Sequence, residues 1–344
     1  MLPLRNNVEG YLKGEKIRMQ EETLEEIQIE TSSLTSPTTA IVIANPTSGS
    51  YMQNKQQIEE TITYLQKHGW QAELRLTKAA GDAKRIAKEA VEQHIGVVVA
   101  VGGDGTINEI IQELAHTDTA LSVLPSGTVN VWARETGIPL ENAGARDVLL
   151  HGRTRQIDLG QTGDRYFLLM AGIGLDGEVT RAVEKQSVKR FGVLGYLFVG
   201  TWLGLGYPSF RVVIQIGERT IRTAALQIII GNTQLYAGAI KYTWRAKCDD
   251  GLLDVCILRK QNVFGRIAVA IDFLLRREQR RQWVQYETCK DIKIRARRRV
   301  AMQIDGDSAG NTTRSFPPVD FCVVPDTLKV IVPLNSPEGL FSKP

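Results

Sequence analysis

The apolar run Val97–Val101 leads directly into Gly102-Gly103-Asp104-Gly105-Thr106, and a helical apolar pattern (Ile107, Ile110, Ile111, Leu114) begins at once. No other stretch constrains the chain so tightly. A buried strand that turns on glycines straight into a helix is the building unit of a parallel α/β sheet. Consecutive glycines let backbone amides approach an anion with no Cβ in the way. The helix that follows offers its N-terminus, whose dipole and unpaired N–H groups favour phosphate. Asp104 adds an acid beside that position, suited to a magnesium network or to proton transfer.

The flanking segments repeat the theme. Ala40–Ala44 is a short apolar strand followed by Asn45-Pro46-Thr47-Ser48-Gly49. Residues 53–68 read as a helix on Ile58, Ile62 and Leu65, and residues 71–77 alternate as a strand that closes on Thr77. Asp82 is placed to cap a helix whose apolar face is Ile86, Ala87, Ala90 and Val91. Leu121–Leu124 is a further strand, running into Pro125-Ser126-Gly127-Thr128-Val129-Asn130. This order predicts a mostly parallel sheet whose strand ends carry small, hydroxyl-bearing or glycine residues at one carboxyl edge, where open α/β sheets bind ligands. The pattern reads as a nucleotide cleft. There is no GxxxxGK[ST], which excludes a P-loop NTPase, and no GxGxxG in a strand-to-helix context.

Beyond about residue 157 the texture changes. Strand-like runs dominate: 167–170, 210–216, 224–230, 253–258, 291–294, 321–324 and 329–332. Turn signals fall at Gly217-Glu218, Asp249-Asp250-Gly251 and Asp305-Gly306, and two helical patterns interrupt near 190–204 and 262–286. A second, mainly antiparallel β domain is expected. Residues 1–38 read as a polar extension ending in a Ser/Thr/Pro linker.

The 344 residues, with 43% hydrophobic and 23% charged, exclude a wholly disordered or collagen-like chain. A net charge of +4 is too weak to imply nucleic acid by itself. Four cysteines without CxxC or zinc-finger spacing point to a reduced, cytoplasmic protein without thiolate-bound metal. The 15-residue apolar run 193–207 carries four glycines and is too short to span a bilayer. The four histidines show no paired ligand spacing, so surface or capping roles are expected.

Taken in order, NPTSG (45–49), GGDGTINE (102–109), PSGTVNVWAR (125–134), MAGIGLDGEV (170–179), DDGLLDV (249–255) and IDGD (304–307) resemble the diacylglycerol kinase catalytic domain family, which includes bacterial lipid kinases and sphingosine and ceramide kinases. GGDGT alone is shared with NAD kinases and phosphofructokinases. The resemblance implies a Rossmann-like α/β nucleotide domain (39–157) and a C-terminal antiparallel β-sandwich lipid domain (158–325) with the active cleft between them. Residues 326–344 would supply a final strand returning toward the first domain, then a tail. It implies transfer of the γ-phosphoryl of ATP to a lipid hydroxyl. Carried over by position, nucleotide contacts fall on Asn45, Thr77, Gly102, Gly103, Asp104, Gly105, Thr106, Ile107, Asn108 and Thr128. A structural Mg2+ would sit in the turn at Asp250, with backbone carbonyls of Lys247 and Leu252; a hard cation with oxygen ligands suits such a turn, which reads otherwise as an ordinary Asp-Gly hairpin. The proposed base of bacterial members falls on Asp307; in sphingosine kinase-like members that role falls on Asp104, and both stay open here. One departure stands out: Val131 occupies the position of an acid that helps organise the magnesium and phosphate network.

Residues 259–299 hold thirteen bases against four acids, a local net of +9, interleaved with the apolar positions of the 262–286 pattern. A basic amphipathic helix reads as peripheral contact with an anionic membrane, or equally as a core-packed helix with a solvated arginine face. No nucleic-acid reading motif accompanies the charge. A homodimer is admissible. The functions in contention are therefore an ATP-dependent lipid kinase, a nucleotide- or lipid-binding regulatory protein suggested by Val131, and a NAD kinase-like enzyme suggested by GGDGT alone.

Overall fold

The computed structural model describes residues 38–46, 51–185, 204, 206–238, 240–275, 282–312, 317–337 and 339–342. The expected N-terminal extension, Thr47–Gly49 of the first loop and most of the helix expected near 190–204 lie outside them.

The first half alternates strand and helix: β1 (Thr39–Ala44), α1 (Tyr51–Lys67), β2 (Gln71–Leu76), α2 (Asp82–Glu92), β3 (Val97–Gly102), α3 (Asp104–Leu114) and β4 (Ala120–Pro125). These strands pair in parallel in the order β4-β3-β1-β2. β3 and β4 are buried at every position, which explains their unbroken apolar runs: helices cover both faces of the sheet. Two short helices, α4 (Val131–Thr136) and α5 (Asn142–His151), complete this half. Asp82 does not cap α2 as expected. It is the first helical residue, and its carboxylate turns back to accept from the amides of Lys78 (2.7 Å) and Ala79 (3.0 Å). The cap comes instead from Glu109 on α3, which accepts from the amides of Gly81 and Ala83 at 3.0 and 3.1 Å.

The second half is built on β5 (Arg153–Thr162), β6 (Arg165–Phe167), β7 (Met170–Gly174), α6 (Leu175–Lys185), β8 (Phe210–Ile216), β9 (Arg219–Gly231), β10 (Leu235–Tyr236), β11 (Ile240–Lys241) and β12 (Leu253–Arg259). It continues through α7 (Val263–Leu274), β13 (Val284–Cys289), β14 (Asp291–Ala296), β15 (Ala301–Ile304), β16 (Asp307–Asn311) and β17 (Val319–Val332). Here all the strand pairs are antiparallel except β17 with β4. β14 alternates exposed and buried along its length, one face to the core. Phe167, Ile214, Ile228, Ile257, Ile292 and Phe321 fill the sandwich core.

Three expectations are corrected. The helix expected to reach 286 ends at Leu274; residues 284–289 form β13, because the alternating, β-branched and aromatic sequence VQYETC pairs with β12 (Leu258 opposite Val284). The expected strand 167–170 is two strands, broken at Leu168-Leu169, whose amides bond to the Asp305 side chain instead of a ladder. The runs 321–324 and 329–332 belong to one strand, β17, which bends at a register shift between Val324 and Leu328, with Asp326 at φ 49°. Its first half pairs with β14, its last turns beside β4 (Val330 opposite Leu121), and β5 runs antiparallel along both parts. β17 and β5 thus stitch the parallel and antiparallel parts into one sheet.

Candidate active site

In register, Ala44 lies opposite Leu76 and Val101, and Gly102 opposite Pro125. The residues that follow each strand therefore meet along one carboxyl edge: Asn45, Thr77, Gly103 and Ser126. Gly103 precedes α3 as its N-cap in extended conformation. A Cβ on Gly127 would come within 2.5 Å of the Gly103 Cα, so the loops after β3 and β4 pack backbone against backbone. This is a cradle without side chains at a helix N-terminus, which fits a polyphosphate. Thr106 and Thr128 stay partly or fully exposed at the same edge, as does Gly105. Ile107 and Asn108 are buried in α3, so their expected contacts with a nucleotide reduce to backbone for Ile107; the Asn108 Nδ2 is buried without a hydrogen-bond partner.

Asp104 is committed locally. Its two carboxylate oxygens accept from the amides of Val131 (3.0 Å) and Trp132 (3.2 Å), capping α4. Burial pushes its carboxyl up, and the two amides pull it back. Val131 itself is buried and apolar beside Asp104, so no acid stands at that position. From the other end of α4, Glu135 accepts from the amides of Gln234 (2.7 Å) and Leu235, tying the helix to β10. Burial raises this carboxyl as well.

Two cavities adjoin β10, and the smaller also touches α4. The smaller, about 100 Å³, is lined by Asp104, Val131, Leu169, Met170, Gln303 and Asp305 among others. The larger, about 310 Å³, is mostly apolar and lies between α6, β9 and α7; Leu226, Ile240, Ile267, Ile271 and Phe273 line it. Tyr236 and Ala237 line both.

The Asp305-Gly306 turn joins β15 to β16 with both residues at positive φ (48° and 84°), the Asp-Gly signature of a tight hairpin. Asp305 accepts from three amides, Leu168 at 2.8 Å and Leu169 and Met170 at 2.9 Å; burial still pushes its carboxyl up to about 6. Asp307 lies beyond the turn, half exposed, and accepts from the Arg165 guanidinium at 3.0 Å. It is not among the residues lining either cavity.

The turn expected to hold Mg2+ lies elsewhere in the second half. Asp250 accepts from the Leu252 amide at 3.1 Å, and the neighbouring Asp158 accepts from the Gly251 amide at 2.6 Å. Asp158 and Asp249 help raise Asp250, and Asp250 in turn helps raise Asp254 to about 6, burial being the larger cause in both. Mutual repulsion with few cations fits a bound cation in chemistry. Among the described residues, however, no three metal-ligating side chains converge, so any cation here would depend on one carboxylate, the backbone carbonyls of Lys247 and Leu252, and water.

The expected site residues thus divide into an α/β edge, a capped Asp104, a turn acid on an arginine and a separate acidic turn. Four residues escaped sequence reading. Asp176 stands inside MAGIGLDGEV with no role attached to it; Glu135, Tyr236 and Gln303 carry no local signal, because their partners are 60 to 127 residues away.

Both halves of the chain are similar to known proteins. Residues 39–162 match the diacylglycerol kinase catalytic domain, and residues 170–332 match the YegS C-terminal NAD kinase beta sandwich-like domain. A curated Bacillus subtilis (strain 168) diacylglycerol kinase is 31% identical over 283 residues, covering 80% of this chain and 92% of that protein. A Staphylococcus aureus (strain MRSA252) diacylglycerol kinase is 29% identical over 280 residues, covering 80% and 88%. A crystal structure of a Bacillus anthracis diacylglycerol kinase shares the fold with a TM-score of 0.65 at 19% identity, covering 87% of this chain and 97% of that one. With both halves matched in order and a relative above 30% identity nearly spanned, this chain belongs to the diacylglycerol kinase catalytic domain family.

Proposed function

We propose that this chain is an ATP-dependent lipid kinase that transfers the γ-phosphoryl of ATP to the hydroxyl of a lipid alcohol, diacylglycerol or a closely related lipid. One observation carries the reading: a small cavity beside the glycine loops, lined by Asp104, Val129 and Val131, shares two walls, Tyr236 and Ala237, with a larger apolar cavity. A phosphoryl donor and a lipid acceptor need that juxtaposition. The transition state is mainly a matter of positioning and charge neutralisation, so the contribution of this chain is geometric and electrostatic.

The amides of the Gly102–Thr106 loop and the start of α3 would receive the polyphosphate, with Asn45, Thr77 and Thr128 at the edge around it. Mg2+ would neutralise charge on the phosphates, and a second, structural Mg2+ suits the Asp250 turn. Asp104 fixes α4 and, through Glu135, the β10 wall shared by both cavities. The lipid enters through the face of α7. Phe264 is 82% exposed, and Val263, Ile267, Ile271, Leu274 and Leu275 are exposed along the same helix, while Ile267, Ile271 and Leu274 also line the apolar cavity. An apolar helix face in a basic segment fits the interface of an anionic membrane, so peripheral membrane association belongs to the proposal. Among the described residues no helix is long and apolar enough to cross a membrane.

The test is labelled transfer from γ-labelled ATP with magnesium to mixed micelles of diacylglycerol, monoacylglycerol, ceramide, sphingosine or a polyprenol. Label on diacylglycerol or a near relative is the expected result. ATP binding with no label on any lipid would favour the regulatory reading that Val131 motivates.

A further inference from the structure

Asp176 opens α6 and is buried, yet it lines the apolar cavity. Its Oδ1 accepts from the Tyr236 hydroxyl and its Oδ2 from the Gln303 Nε2 at 2.7 Å. Tyr236 lines both cavities, and Gln303 lines the smaller one with Asp104. The carboxylate therefore stands at the neck between the place for a lipid and the place for a phosphoryl group. The room for it is built in: a Cβ on Gly172 would stand 1.8 Å from Asp176 Oδ2.

We propose that Asp176 is the group that accepts the proton of the lipid alcohol during transfer. The inference rests on the lipid-kinase reading and assigns that site its base. The competing carboxylates are committed elsewhere. Both oxygens of Asp104 hold α4, Asp305 holds three amides, and Asp307 holds Arg165 outside the linings of both cavities. Of these four acids Asp176 is the one that lines the apolar cavity, and a carboxylate with two neutral donors keeps lone pairs for a third. The polar groups facing it are Tyr236 (β10), Gln303 (β15), Gln227 (β9), Tyr242 beyond β11, and Arg266 on α7, the one cation among the described lining residues. Arg266 is itself bonded to the Gly204 carbonyl at 2.7 Å.

The step balances. The alcohol oxygen forms a bond to the γ-phosphorus of ATP, and the bond from that phosphorus to the β–γ bridging oxygen breaks with its electron pair, releasing ADP. The alcohol proton moves to Asp176 and leaves to solvent after turnover. Burial also pushes this carboxyl up to about 6, which matches a base working near neutral pH.

The experiment measures kcat and KM for the lipid found with the panel above, across pH 5 to 8, in the wild type and in Asp176→Asn, Asp307→Asn and Tyr236→Phe. ATP binding by calorimetry and the melting temperature are recorded for each. Asp176→Asn is expected to lose at least about 100-fold in kcat with ATP affinity unchanged. The wild-type kcat/KM should rise with pH through a midpoint near about 6, and that limb should vanish in Asp176→Asn. Tyr236→Phe removes the O–H donor from Oδ1, so the limb should move to higher pH; this readout stands even if Asp176→Asn fails to fold. Asp176→Asn within about 3-fold of wild type, or a limb unmoved in Tyr236→Phe, overturns the assignment, and loss confined to Asp307→Asn returns the base to the turn acid. A wild type that labels no lipid sinks the kinase reading itself and this assignment with it.

Discussion

At the residue scale, the acid that the sequence offers for chemistry, Asp104, turns out to hold backbone, as does Glu109 beside it in the same motif. Asp104 and Glu109, both inside GGDGTINE, cap α4 and α2. Losing a helix cap costs about 1 kcal/mol. Asp104→Asn keeps one acceptor oxygen but presents an N–H group to the other amide. Stability should fall by about 1 kcal/mol, or about 2 °C in Tm by calorimetry. Activity should fall as well, since α4 carries Val131 and, through Glu135, the Leu235-Tyr236 wall. A protein that kept full thermal stability but lost all turnover would show instead that Asp104 acts directly on the proton. A related expectation concerns Val131: an Asp there would sit against Asp104 in a small cavity already lined by Asp305. Two buried like charges repel, so Val131→Asp should lower Tm in the absence of magnesium and recover part of it when magnesium is added.

At the element scale, what was legible followed from periodicity and what was not followed from distance. The parallel pairing of β1 to β4 could be read because β1, β3 and β4 are apolar runs buried on both faces, β2 alternates, and the intervening helices have one apolar face. The edge that gathers Asn45, Thr77, Gly103 and Ser126 came with it, since register aligns the strand ends. The helix expected to reach 286 passes Leu274 because residues 276–282 (RREQRRQ) are good helix formers by propensity, and only pairing with β12 reveals β13. Neither the cavity neck nor the α4 clamp could be read, because Asp176, Tyr236, Glu135 and Gln303 come together only when α6, β10, α4 and β15 do. α7 carries its own prediction. Phe264 and Leu275 are exposed on that helix but are absent from the cavity lining. Burying a large apolar side chain in lipid is worth about 1.5–3 kcal/mol. Phe264→Glu with Leu275→Glu should therefore weaken sedimentation with phosphatidylglycerol vesicles by at least about 10-fold, with ATP binding unchanged. Vesicle binding that survives the pair would place the membrane contact elsewhere.

At the scale of the whole molecule, burial raises several carboxyls, and three of them are raised furthest. Asp176, Asp254 and Asp305 are each pushed up to about 6 by burial, from an ordinary value of 3.8. A raised acid is worst accommodated when charged. Its stabilising contribution is fully present below its unfolded pKa and is lost as pH rises through the folded one. A tenfold difference in proton affinity between the folded and unfolded chain is worth about 1.4 kcal/mol. Asp82, held low by the amides of Lys78 and Ala79, and Asp118, held low by Lys329, act in the opposite sense and lose their contribution only at lower pH. Between about pH 7.5 and 5 the raised group dominates, so Tm should rise on mild acidification and fall again below about pH 4. Activity should move the other way across the same window, because Asp176 must be charged to take a proton. Parallel calorimetric melts and rate measurements at half-unit steps would expose that opposition. A Tm that falls steadily from pH 7.5 to 5 would mean that the raised carboxyls are already matched by partners in the folded protein, and that the acid limb of the rate belongs to another group.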